Sequence, residues 1–144
     1  MAHIHTQPGQ HDHTASAFIV RIDGDEPRLL LHLHKKLGTL LQFGGHIELH
    51  ENPWQAVAHE IFEESGYALK QLRLLQPPDR IKVLSGAVLH PSPVCYSTHP
   101  FNDDLEHFHT DATFAFVTNE PPQYAISDGE SADVRLLTRA ARGA

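Results

Sequence analysis

The sequence predicts an α/β protein, a mixed β-sheet packed with few helices in one domain, and three observations predict it. Short β-rich segments broken by Gly, Pro and Asp turns recur along the chain. A single strongly marked helix, with both of its ends readable, lies near the middle. A length of 144 residues suffices for one hydrophobic core but not for two. Many strands, one strong helix and a C-terminal stub together amount to a mixed α/β sandwich.

Taken in order, residues 1–13 carry His3, His5, His11 and His13 among Gln, Pro and Gly, with no apolar period, and are expected to form a flexible arm. The single domain is expected over 14–144. The run from Thr14 to Ile22 is rich in β-formers and stops at Asp23-Gly24-Asp25, and Arg28 to Leu33 follows, so the two segments predict a hairpin. Thr39 to Phe43 predicts a short strand ended by Gly44-Gly45. Asn52 as N-cap, Pro53 at the first helical position and Gln55 at the third mark a capping box, and Gly66 is placed to end the helix after Ser65. Leu69 to Leu75 and Arg80 to Leu89 look strand-like, as does Val94 to Ser97, whereas His99 to Glu106 reads as a polar loop. Thr110 to Thr118 predicts a strand, and Val134 to Leu137 another after the turn at Ser127-Asp128-Gly129-Glu130. Thr138 is a candidate cap for a short closing helix, but too few residues follow to make it stable alone.

Hydrophobic residues at 40% and charged residues at 20% belong to a folded globular chain. The formal net charge of −7 repels a polyanion, and Lys and Arg are scattered, so no nucleic acid polymer is expected as a partner. No apolar run is long enough to suggest a membrane span. An acidic protein can still handle a phosphorylated small molecule where bound cations invert the local field, which makes a metal an early expectation. Cys95 is the single cysteine, which excludes an intramolecular disulfide; without an export-like N-terminus, a cytoplasmic location is expected. Within Pro-Val-Cys-Tyr, Cys95 is expected to be a buried, unreactive thiol.

The helix carries the chemistry. Glu60, Glu63 and Glu64 fall at spacings of three and four, which gathers them on one side, while Trp54, Val57, Ala58, Ile61 and Phe62 supply the core-facing side. Like charges at these spacings repel, and a helix C-terminus prefers cations, so the cluster calls for compensation. Mg²⁺ or Mn²⁺ would supply it, since hard cations take oxygen ligands and share them with substrate phosphates. A Glu pair alone is usually a solvated face. Here a double glycine and a short loop lead straight into the acidic helix, and that order makes a site.

The stretch from Gly45 to Tyr67, with Glu51, His59-Glu60-Ile61, Glu63-Glu64 and Gly66, resembles the Nudix box, G-x5-E-x7-R-E-U-x-E-E-x-G-U with U bulky and apolar. Every defining position matches except that His59 stands where Arg is usual. The resemblance implies an α/β/α sandwich with a mixed β-sheet, one long acidic helix and a short C-terminal helix. It implies metal-dependent hydrolysis of a phosphate anhydride in a nucleoside diphosphate derivative, with Glu60, Glu63 and Glu64 as metal ligands joined by the Gly44 carbonyl. Glu51 is then the brace for residue 59. The general base is a helix glutamate or a carboxylate of a later loop; Glu130 is the loop candidate, against an ordinary acidic turn. His is shorter than Arg and largely neutral near neutral pH, so the brace is expected to be weaker and pH-sensitive, with metal binding retained and turnover reduced.

His107, His109 and Asp111 alternate and would share one face of a strand. A substrate-contacting face and a plain solvated strand are the main readings, and a zinc site lacks partners at standard spacing. His46, beside the glycine pair, is a candidate phosphate contact or a loop histidine facing water. The box resembles subfamilies that carry a Pro or Tyr roughly 15 to 18 residues further on as a substrate marker, and Lys82 to Ser85 holds neither. Two other functions compete: a catalytically silent nucleotide-binding module, and a histidine-rich metal-handling protein suggested by 13 histidines. A homodimer that covers the thin layer left by the C-terminal stub is a further expectation.

Overall fold

The computed structural model describes residue 7 and residues 10–101 and 104–140. Among them, strands β1 (His11–Arg21), β2 (Arg28–Leu33), β3 (Leu40–Leu41) and β4 (Phe43–His46) precede helix α1 (Pro53–Ser65). A turn of 3-10 helix at Leu69–Gln71 leads to β5 (Arg73–Leu74), β6 (Cys95–Phe101), β7 (Asp104–Thr118) and β8 (Val134–Leu137).

β1 and β7 form a parallel central pair, in register from His11 opposite Phe108 to Arg21 opposite Thr118. The other pairings are antiparallel, so the sheet is mixed. Each central strand is long enough to hold two partners in series along its outer edge. β4 takes residues 14–17 of β1 and β2 takes residues 19–21. β6 takes β7 up to Thr113, and β5 takes Phe116 and Val117.

Side chains alternate across this pair, and the register puts like with like. Ala15, Ala17 and Ile19 on β1 lie beside Ala112, Phe114 and Phe116 on β7 and form the apolar face. Asp12, Thr14 and Ser16 lie beside His109, Asp111 and Thr113 and form a buried polar face. Helix α1 covers the apolar face over β1 and β4. Its fully buried residues are Ala56, Val57 and Ile61, and the Trp54 ring meets that of Phe114 at 5.3 Å. Phe62, expected inside, is 41% exposed and packs on Tyr124 instead. The core stripe runs from Val57 through Ile61 to Glu64, in steps of four and three, so Glu64 rather than Phe62 points inward.

Both helix ends match expectation. Asn52 accepts from the Gln55 N–H at 2.8 Å, and Gln55 accepts from the Asn52 N–H at 2.9 Å. Gly66 closes the helix at φ 78°, with its N–H donating to the Phe62 carbonyl. A Cβ at Gly66 would also run into the Tyr124 carbonyl. Gly66→Ala is therefore expected to cost about 1–3 kcal/mol from backbone strain alone. A fall in melting temperature of at least about 3 °C checks it by calorimetry.

Several further expectations are corrected. His11, Asp12 and His13 belong to β1 rather than to the arm, because β7 extends far enough to pair with them; residues 1–6, 8 and 9 lie outside the described residues. Arg80 to Leu89 forms no strand: β5 and β6 already occupy the outer edge of β7, and Pro77, Pro78, Pro91 and Pro93 remove donors around it. His99 to Phe101 and Asp104 to Glu106 are strand rather than loop, since β6 and β7 continue their ladder to Phe101 opposite Asp104; residues 102 and 103 lie outside the described residues. Cys95 is exposed, because β6 pairs only with β7 among the described residues. Of the closing helix, Thr138 to Ala140 contain a turn and no helix, and 141–144 lie outside the described residues. No described helix is long and apolar enough to cross a membrane.

Candidate active site

The glycine pair is the hinge of the site. Gly45 pairs with Ala15 on the helix side of β4, and a Cβ there would run into the Glu60 carboxylate. Gly44 pairs with Ser16, and a Cβ there would stand 2.6 Å from the Ala15 carbonyl oxygen. Only glycines let β4 lie this close to β1 and to α1. The Gly44 N–H donates to Glu64 Oε1 at 2.8 Å, and Glu64 Oε2 stands 3.7 Å from His32 Nε2.

His59 bridges two carboxylates. Its Nδ1 lies 3.0 Å from Glu51 Oε2 and its Nε2 lies 3.1 Å from Glu60 Oε1. His59, Glu60 and Glu63 each offer a ligand atom within 4.8 Å of the others. Glu64 is turned away from this trio toward Gly44 and His32. Glu130 approaches from the loop after β7. That loop is tied to the helix by the Ser127 N–H, which donates to the Glu63 carbonyl at 2.8 Å, and to β2's end by Lys35 Nζ, which donates to the Gly129 carbonyl at 2.8 Å. Glu64, Glu130, His32, Lys35 and Lys36 line one cleft of about 190 Å³.

Crowding of acids sets the electrostatics. Burial, reinforced by the charges of Glu63 and Glu130 and resisted by His59, pushes Glu60 up to about 7. Burial, resisted by the Gly44 N–H and reinforced by Glu60, Glu130 and Glu63, pushes Glu64 up to about 8. For His59, burial opposes the imidazolium, but the charges of Glu60 and Glu51 and the bond to Glu51 together raise its pKa. The brace is thus held charged more firmly than a free histidine. Burial and His34 lower the pKa of His32, which favours its neutral form.

These shifts predict a pH dependence. Both glutamates bind their protons more tightly folded than unfolded, so the native state holds more protons between 4.5 and about 8, and stability falls as pH rises through that window. Metal-free protein is expected to melt about 5 °C lower at the upper end of the window than at the lower. Mg²⁺ at about a hundredfold over its dissociation constant is expected to restore at least that much at the upper end and little at the lower. Differential scanning fluorimetry across pH checks both.

The polar face floors a larger cavity of about 550 Å³, which His32, Gly44, Gly45, His99, His109 and Asp111 help to line. Asp111 accepts from Thr14 Oγ1 and Ser16 Oγ at 2.7 Å each and from Thr113 Oγ1 at 2.6 Å. His109 and Asp111 share this face as their alternation predicts. His46 is not on a loop: it ends β4, is buried, and lines neither cavity. Sequence reasoning passed over His32, Lys35 and the hydroxyls of Thr14 and Ser16. For the hydroxyls a signal existed, polar residues alternating within the β1 pattern.

A family profile described as NUDIX domain matches residues 12–141. The chain belongs to the Nudix hydrolases. A Nudix-family hydrolase from Clostridium perfringens is 31% identical, over 92% of this chain and 85% of its own, with a TM-score of 0.73. The Ap4A hydrolase of C. elegans, solved as a binary complex, is 18% identical over 90% of this chain and 82% of its own, with a TM-score of 0.61. The Nudix domain of Shewanella oneidensis NrtR, solved with ADP ribose, is 15% identical over 91% and 75%, with a TM-score of 0.65. The last two share the fold. A search of curated proteins finds no match. Nudix hydrolases generally use a divalent metal, and the residues of this Nudix domain fit one: the box carboxylates are crowded, partly desolvated oxygen donors whose repulsion a cation relieves.

Proposed function

We propose that this Nudix hydrolase cleaves a phosphate anhydride bond in a nucleoside diphosphate derivative or nucleotide, by attack of water at phosphorus. Glu60, Glu63 and Glu64, with the Gly44 carbonyl, would hold Mg²⁺ or Mn²⁺. The observation that carries this reading is the crowding of the buried Glu64 and half-buried Glu60 against the glycine pair, which raises Glu60 and Glu64 to about 7 and 8. Hard cations favour such oxygen donors and offset their repulsion. When bound, the ion neutralises phosphate charge and makes a nearby water more acidic.

The chain's own groups divide the remaining work. Gly44 and Gly45 border the larger cavity and also meet Glu64 and Glu60, so a nucleoside seated over the polar face would bring its diphosphate to the carboxylates. The cavity volume suits a ligand of that size. Asp111 and His109 are the proposed contacts to the base or ribose. Lys35 and Lys36 flank the cleft as phosphate partners, and Lys35 also anchors the Glu130 loop. Glu130, whose charge is felt by both Glu60 and Glu64, is the proposed general base that takes the proton from water.

The test is a panel of nucleoside diphosphate derivatives, including dinucleoside polyphosphates and ADP ribose, with Mg²⁺ or Mn²⁺ and with Glu63→Gln as control. Product release that needs both the ion and Glu63 is expected. Tight nucleotide binding without turnover would favour the silent module instead, a reading prompted by His59 in the place of Arg. His59→Arg is expected to raise kcat about threefold to tenfold and to keep the brace charged at alkaline pH, where the wild type loses it. Identical pH profiles between about pH 6 and pH 9 for the two proteins would remove the brace from the account.

A further inference from the structure

A second set of ligand side chains meets on the face of the sheet opposite the helix. Asp12 on β1, His46 on β4 and His109 on β7 are 2%, 5% and 7% exposed. Asp12 and His109 are register partners, and His46 stands opposite Thr14, one step along the same face. Each offers a ligand atom within 4.8 Å of the other two. His46 Nε2 is 3.7 Å from Asp12 Oδ2, and the rings of His46 and His109 meet edge to face at 5.1 Å.

The spacing and the donor chemistry of this cluster suit a metal ion. The 3.7 Å between His46 and Asp12 is long for a hydrogen bond. It is close to the roughly 3.4 Å that separates two ligands bound about 2.1 Å from one tetrahedral ion. Two imidazoles and one carboxylate suit Zn²⁺ and related transition metals, whereas the all-oxygen glutamates suit Mg²⁺ and Mn²⁺.

We propose that Asp12, His46 and His109 form a binding site for a Zn²⁺-type transition-metal ion, distinct from the glutamate cluster. Gly45 faces α1 and Glu60 while the adjacent His46 faces the other way, so the two sites lie on opposite sides of β4. His99 is the group placed to complete the coordination: it pairs with His109 across the β6–β7 ladder, its ring lies 5.4 Å from that of His109, and both line the larger cavity. Ion binding there ties β4, the strand of the glycine pair, to β1 and β7.

The test is titration of the metal-free, untagged full chain with Co²⁺, read by its visible d–d absorption, with Zn²⁺ and Mg²⁺ as competitors. One equivalent is expected to bind with the intense bands of a four-coordinate site, displaced by Zn²⁺ and not by excess Mg²⁺. His46→Gln and His109→Gln are each expected to weaken it at least about tenfold, while Glu60→Gln/Glu63→Gln and His3→Ala/His5→Ala leave it unchanged. Bands that survive both histidine variants, or that vanish with the glutamates or with His3 and His5, would overturn the proposal. Anomalous diffraction from Zn²⁺-soaked wild-type crystals gives a readout independent of how the variants fold. A peak among Asp12, His46 and His109 supports the site, and its absence there refutes it.

Discussion

Glu64→Gln is expected to lower kcat at least about a thousandfold while the fold holds. The side chain lies on the same helix stripe as Val57 and Ile61, and its carboxylate is pinned by the Gly44 N–H at 2.8 Å. Gln keeps the shape and can still accept from that N–H, so packing and the glycine turn survive. What is lost is the negative charge that the proposed cation needs. Because Glu64 is pushed up to about 8 by burial, removing its charge relieves a folded-state penalty. Metal-free Glu64→Gln should therefore melt no lower than the wild type at alkaline pH, while phosphate release collapses. Loss of both together would make Glu64 a packing residue.

Gly45→Ala carries the second large effect, expected to be about a hundredfold in kcat/KM. Gly45 is not among the glycines with a positive φ, so alanine suits its backbone. Its Cβ, however, would enter the space of the Glu60 carboxylate. Glu60 must then move, and with it the contact from His59 Nε2 at 3.1 Å. Circular dichroism is expected to be unchanged, while the metal concentration for half-maximal activity rises. Wild-type kinetics would mean that Glu60 works from another rotamer.

The parts of the fold written in local signals were legible. The Asp23-Gly24 turn, the capping box at Asn52 and the left-handed Gly66 each depend on neighbours within a few residues, and each appears as expected. The spacing of Glu60, Glu63 and Glu64 was legible for the same reason, since all three lie in α1, whereas the Glu51–His59 contact, with Glu51 ahead of the helix, was implied only by the resemblance to the Nudix box. The remainder depends on partners distant in the chain. Asp12 looked like part of an arm until β7 supplied a strand beside it, and His46 looked like a loop residue until β4 paired with β1. The apolar run at Arg80 to Leu89 had the composition of a strand, but β5 and β6 already fill the outer edge of β7 and the run joins no strand. Glu64 was gathered with Glu60 and Glu63 by helical spacing, although the same period aligns it with Ile61 and buries it.

The proposed hydrolysis turns on a cation held between the acidic helix and the edge of β4. Anomalous diffraction from a Mn²⁺-soaked crystal tests it most directly. A peak within coordination distance of Glu60 and Glu63 or Glu64, near the Gly44 carbonyl and abolished in Glu63→Gln/Glu64→Gln, is the predicted result. Carboxylates turned outward around an empty centre at saturating Mn²⁺ would contradict it.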